Sequence, residues 1–127
     1  MTPSIRVLIV DDQPRARQSL RALLSTLPQV AEIEEAADGH EAVRRVQECQ
    51  PDVVMMDVRM PDMDGLLATR RIKTSWSQVK IIVLTLYADY RAEALAAGAD
   101  AFISKGEPPD KLLATLVEVA GCREKGT

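Results

Sequence analysis

The chain is predicted to fold as an α/β domain, a doubly wound five-stranded parallel sheet layered between helices (αβα), on three observations. Five short apolar runs alternate with five helical patterns, and the connections between them are short. Such alternation implies right-handed crossovers and a parallel sheet with helices on both faces. The run Val53-Val54-Met55-Met56 is apolar throughout, as suits a strand covered on both sides, and it stops abruptly at Asp57. A length of 127 residues with 46% hydrophobic content is enough for one self-sufficient core of Leu, Val, Ile, Ala and Met.

Each element has its own signal. Ile5 to Val10 reads as a buried strand, and Asp11-Asp12-Gln13-Pro14 as a turn feeding a helix with Pro near its first position. Leu20, Leu23, Leu24 and Leu27 recur at helical spacing until Pro28. Ala31 to Ala37 is a weaker strand in which Ile33 alternates with acids, the pattern of a sheet edge. Asp38-Gly39-His40-Glu41 has the form of a capping box before a helix from Ala42 to Cys49. After the Val53 to Asp57 strand, Asp64 is placed to cap a helix running to about Thr74, with Ala68, Thr69 and Ile72 inward. Val79 to Leu84 is the most apolar run and is followed by Thr85. Ala88 to Ala97 is an Ala-rich helix closed by Gly98, and Ala101 to Ile103 a brief strand before Ser104-Lys105. Pro108-Pro109 opens a last helix with the stripe Leu112, Leu113, Leu116, Val117 and Ala120.

A net charge of −3 and a pI near 5.2 argue against direct nucleic-acid binding, which needs clustered Lys and Arg. The local basic groups Arg15/Arg17/Arg21 and Arg70/Arg71/Lys73 read as solvated helix faces. Cys49 and Cys122 lack metal-ligand spacing and fit a reducing compartment, His40 reads as solvated, and Trp76 as a partial lid on the core. With no signal peptide and no apolar run long enough to span a bilayer, a cytoplasmic location without membrane contact is expected.

Ligands of open parallel sheets bind beyond the carboxyl ends of the strands, where strand order reverses. Four strands here end in Asp11-Asp12, Asp57, Thr85 and Lys105, which a parallel sheet brings to one edge. Each alone has a plain structural explanation as a turn, cap or surface residue. Three carboxylates held together, however, repel one another unless a cation neutralises them. All-oxygen ligation with room for water suits Mg²⁺. A Lys beside it would bind a phosphate as a point charge and a Thr hydroxyl would donate to it, so the chemistry suggested is phosphoryl transfer to a carboxylate.

These same residues carry a resemblance. Val7-Leu8-Ile9-Val10-Asp11-Asp12, Met56-Asp57-Val58-Arg59-Met60-Pro61 with Met63-Asp64-Gly65, Val83-Leu84-Thr85, and Gly98-Ala99-Asp100-Ala101-Phe102 leading to Lys105 resemble the receiver domain of two-component response regulators. The match runs from Ile5 to about Gly121. Ser104-Lys105-Gly106, Pro108-Pro109 and Arg59 look most like the NarL/FixJ-type subfamily. The resemblance implies a CheY-like, flavodoxin-like (βα)5 fold with strand order 2-1-3-4-5. It implies Asp57 as phosphoacceptor for a sensor histidine kinase, Asp12 and Asp57 as direct Mg²⁺ ligands, Asp11 as a ligand through water, and Arg59 as donor of a backbone carbonyl. Thr85 and Lys105 would contact the phosphoryl group and Phe102 would be the switch aromatic, although an aromatic in a strand is also an ordinary core residue. Tyr87 and Arg59 are placed to overhang the site and slow hydrolysis. Gly106 stands where many receivers have Pro, which removes the residue that favours a cis peptide there. By resemblance alone, the side of the first helix bearing Arg15, Arg17 and Gln18 is a candidate kinase contact.

The expected organisation is a receiver over 1–121 and a polar tail or start of a linker over 122–127. The expected role is a phosphorylation-dependent switch, not an enzyme, that dimerises on phosphorylation and controls transcription through a helix-turn-helix domain elsewhere in the protein. One alternative is a stand-alone receiver acting by protein contact. Another is an Asp-nucleophile phosphohydrolase, but such enzymes typically carry a second acid two residues after the nucleophile, where this chain has Arg59.

Overall fold

The computed structural model describes residues 4–60 and 63–125, with side chains through residue 121. Pro61 and the Cys122 side chain, both used above, lie outside the described residues. In chain order the elements are β1 (Ile5–Val10), α1 (Pro14–Leu24), β2 (Val30–Ala36), α2 (Gly39–Cys49), β3 (Val53–Met56), α3 (Gly65–Ser75), β4 (Lys80–Thr85), α4 (Arg91–Ala96), β5 (Ala101–Ser104) and α5 (Pro109–Lys125). The five strands form one parallel sheet in the order β2-β1-β3-β4-β5, as expected.

Strand side chains alternate between two cores. On one face Leu8, Val10, Val54, Met56, Ile81 and Val83 meet the inner sides of α2, α3 and α4. On the other, Val7, Ile9, Val53, Met55, Ile82 and Leu84 meet α1 and α5 through Leu24, Leu112 and Leu116. All four residues of β3 are buried, so the central strand has no wet side and its direction is fixed by packing on both faces. That rigidity is delivered to the residue that follows it, Asp57.

Several boundaries differ from the sequence reading, each for a local reason. α1 stops at Leu24 rather than Leu27 because Thr26 N–H and Leu27 N–H bond three residues back, to Leu23 and Leu24, and the Ser25 and Thr26 hydroxyls bond to the Arg21 and Leu23 carbonyls. α2 begins at Gly39 instead of Ala42. Its cap is half of the expected box: Asp38 Oδ1 accepts from Glu41 N–H at 2.8 Å, but Glu41 Oε1 reaches Ala37 N–H rather than Asp38. The Ala88 to Ala97 helix is split into a 3₁₀ turn, Ala88–Tyr90, and the six residues of α4. Its end is as expected: Gly98 has φ +108°, and Ala99 N–H bonds Ala94 O while Gly98 N–H bonds Leu95 O, the two bonds of a Schellman motif. α5 continues to Lys125.

Candidate functional site

The carboxyl ends of the strands are locked by backbone bonds that extend the ladder one step past each strand. Asp11 N–H donates to Ala36 O (3.1 Å), Asp57 N–H to Val10 O (3.0 Å) and Lys105 N–H to Thr85 O (2.8 Å). Three site residues therefore sit on the next rung beyond β1, β3 and β5, with main chains as rigid as the sheet. Order β2-β1-β3 places Asp11 and Asp57 on neighbouring strands where the winding reverses.

There Asp11, Asp12 and Asp57 each present a carboxylate oxygen within 4.8 Å of the others. Lys105 enters from the far side, with Nζ 2.6 Å from Asp11 Oδ2 and 3.6 Å from Asp57 Oδ2. Asp11 Oδ1 accepts from Gln13 N–H at 2.9 Å, and Asp57 Oδ1 from Val58 N–H at 2.8 Å. Burial pushes the Asp57 carboxyl above its ordinary range, Lys105 pulls it back, and the neighbouring Asp11 raises it again. For Lys105, burial disfavours the ammonium, but the bond to Asp11 and the charge of Asp57 outweigh it and raise its pKa. Three carboxylates face one ammonium, so the corner holds more negative than positive charge. An all-oxygen donor set with that deficit fits a hard divalent cation such as Mg²⁺.

The remaining predicted residues lie around this corner at different depths. Thr85 is fully buried, and its hydroxyl accepts from Tyr87 N–H at 3.3 Å. Phe102 is half-buried and packs on the core beneath α2, α3 and α4, with the Arg91 guanidinium 6.0 Å from its ring centre. The Arg59 guanidinium lies 4.8 Å from the ring centre of exposed Tyr87, which in turn meets Tyr90 edge-on at 6.2 Å. The two expected modulators thus touch each other. Beside the acids a groove of about 260 Å³ opens between α1 and α5, lined by Leu20, Leu23, Ile103 and Leu112, with Asp11 and Lys105 at one end. His40 is exposed, Trp76 packs partly on the core, and all described peptide bonds are trans.

Two residues have parts that the sequence reading missed. Gly65 opens α3 directly against the site: its N–H donates to Val58 O at 2.8 Å, and a Cβ there would run into the Asp57 carbonyl oxygen. A Gly immediately after a capping Asp was the available signal, since Gly is a poor choice for a helix start unless another backbone comes close. Arg17 is the second. It does not belong to a solvated face: its side chain is only 18% exposed, with Nε on Glu35 Oε1 (2.9 Å) and Nη1 on the Asp11 carbonyl (2.6 Å). Arg21 grips the other Glu35 oxygen at 2.6 Å, and between them the two arginines hold the Glu35 carboxyl below its ordinary range, Arg21 the more strongly. Arg15 and Gln18 do remain exposed.

Fold and corner together define a flavodoxin-like α/β domain with a carboxylate cluster at the switch point of its sheet. Residues 7–117 match the response regulator receiver domain, and the chain belongs to that family. It is 38% identical over 113 residues to an uncharacterized transcriptional regulatory protein, YhcZ, of Bacillus subtilis strain 168, covering 87% of this chain and 53% of that protein. The chain spans about half the length of the curated relatives it matches. Among solved structures, a LuxR-family two-component response regulator from Aurantimonas sp. SI85-9A1 superposes with a TM-score of 0.89 at 32% identity, over 94% of this chain and 87% of that one. Response regulator TrrA from Thermotoga maritima, in complex with Mg²⁺-BeF, gives 0.84 at 31% identity, over 94% and 99%. These relatives agree with a receiver of the NarL/FixJ type. Among the described residues no helix is long and apolar enough to cross a membrane.

Proposed function

We propose that this receiver is a phosphorylation switch that accepts a phosphoryl group from a sensor histidine kinase on Asp57. The observation that carries the reading is the convergence of Asp11, Asp12 and Asp57 within 4.8 Å, with Lys105 2.6 Å from Asp11. In the transfer, an Asp57 carboxylate oxygen attacks phosphorus, the P–N bond breaks with its electron pair returning to the imidazole, and an acyl phosphate forms. Lys105 has three donors and is already aimed at Asp57, so it can leave Asp11 to hold a phosphoryl oxygen. Mg²⁺ held by Asp12 and Asp57, by the Arg59 carbonyl, and by Asp11 through water would neutralise charge on the transferring group.

The positions of Thr85 and Phe102 support a coupled switch. The Thr85 hydroxyl oxygen now accepts from Tyr87 N–H, and its own O–H gains a charged acceptor when the phosphoryl group arrives. Its turn toward Asp57 frees space at the β4 end for Phe102, changing the surface of α4 and β5. The α1–α5 groove beside Lys105 supports kinase docking on that side. Regulation of transcription, through a helix-turn-helix domain and a dimer formed on phosphorylation, is the output we infer. It rests on the transcriptional regulatory protein among the relatives, of which the match covers 53%. Incubation with Mg²⁺ and a small acyl-phosphate donor should add the mass of one phosphoryl group to most of the wild-type protein and none to Asp57→Asn. Equal uptake by both proteins would rule Asp57 out.

A further inference from the structure

We propose that Arg17 is a positioning residue for the metal corner, holding the peptide between Asp11 and Asp12 so that Asp12 is aimed at the cation before it binds. The inference rests on the Mg²⁺ reading above and concerns a residue that does not touch the metal. Asp11 is held by both of its own carboxylate oxygens, one on Gln13 N–H and one on Lys105. Among the described residues the Asp12 carboxylate makes no hydrogen bond or ion pair. Its place is therefore set by its main chain alone.

Two bonds fix that main chain. On one side of Asp12 the Gln13 N–H is held by Asp11 Oδ1, and on the other the Asp11 carbonyl is held by Arg17 Nη1 at 2.6 Å. A peptide unit is planar, so pinning the Asp11 carbonyl also fixes the Asp12 N–H and the direction in which its Cα leaves β1. Arg17 can do this because it is itself immobilised. Its Nε sits on Glu35 Oε1 at the end of β2, and Glu35 is held from the other side by Arg21, which also donates to Ile33 O at 3.1 Å. Glu35 is one residue before Ala36, whose carbonyl takes the Asp11 N–H. The clamp thus ties the metal corner to the edge strand, with the planar guanidinium bridging a carboxylate and a carbonyl at once. A Lys in its place carries all its donors on one nitrogen and does not reproduce this fixed planar fork.

The test is an NMR-monitored Mg²⁺ titration of the chain as wild type, Arg17→Met, Arg17→Lys and Arg21→Met, with thermal melts of each. Arg21→Met breaks the same clamp but leaves the Asp11 carbonyl held, so it is the control for lost stability. The expected result is Mg²⁺ affinity about tenfold weaker in both Arg17 variants, the size seen when an outer-shell partner of a ligand is removed. Without Mg²⁺ the Asp12 amide resonance should also shift in both, while Arg21→Met keeps wild-type affinity and a wild-type Asp12 resonance. Wild-type affinity in Arg17→Lys, or an equal loss in Arg21→Met at matched melting temperature, overturns the proposal. A wild type that does not respond to Mg²⁺ would refute the metal corner itself, and that failure appears before any variant is compared. If Arg17→Met does not fold, Arg17→Lys carries both readouts.

Discussion

The surroundings of Asp57 disfavour its charged form. Burial and the neighbouring Asp11 raise its carboxyl above the ordinary range, with Lys105 only partly offsetting them. Because the folded pKa lies above the unfolded one, the stability this group contributes falls as pH rises from the ordinary carboxylate range through the raised value, and stays reduced at neutral pH. Asp57→Asn should therefore melt a few degrees higher than wild type at neutral pH in a chelator. The difference should close when pH falls below the ordinary carboxylate range, where both side chains are uncharged; equal melting temperatures at neutral pH would show the strain is absent. Arg59 and Tyr87 form a contact pair, the guanidinium lying 4.8 Å from the ring centre, so any effect of theirs on the phosphorylated state is expected to be coupled. In a double-mutant cycle on acyl-phosphate lifetime, Arg59→Ala and Tyr87→Ala should be non-additive by about 0.5–1 kcal/mol, the range of exposed cation–π contacts. Strict additivity would separate them.

At the scale of elements, α3 is the piece most tightly fitted to the site. Gly65 brings its first turn against the Asp57 carbonyl, and backbone on backbone cannot give way as a side chain can. Gly65→Ala is expected to cost about 1–3 kcal/mol in denaturant melts, as overpacking does, and to slow phosphorylation of Asp57 as the strand end shifts. Gly121→Ala, in helix α5 with nothing within 4 Å of the new methyl, should instead stabilise by about 0.5–1 kcal/mol. Element identity was legible because period and caps agree: Asp64 Oδ1 does accept Leu67 N–H at 2.9 Å, and Pro14 does open α1. What escaped the sequence depended on geometry outside the segment. The break between the 3₁₀ turn and α4 goes with Thr85 taking the Tyr87 N–H, and the shifted arm of the α2 cap with Glu41 Oε1 taking the Ala37 N–H. The Arg17 clamp needed a partner 18 residues away on β2, beyond the reach of local pattern.

For the whole molecule, the alternation of strand and helix and the full burial of β3 left little freedom of architecture, and the order β2-β1-β3-β4-β5 does what the site requires. It sets β1 beside β3, so two acid-bearing ends adjoin, and brings β5 in from the far side with Lys105. The acids, Thr85 and the lysine were legible as four strand ends meeting at one edge. Their distances, and the present engagement of Thr85 with Tyr87, were not, because they depend on side-chain packing among elements distant in sequence. Phosphoryl transfer to a carboxylate oxygen of Asp57 at this edge can be trapped chemically. After exposure to the phosphodonor and Mg²⁺, borohydride reduction followed by peptide mass spectrometry should find homoserine at position 57 and nowhere else. Homoserine at position 11 or 12, or a phosphoryl group on His40, would contradict it.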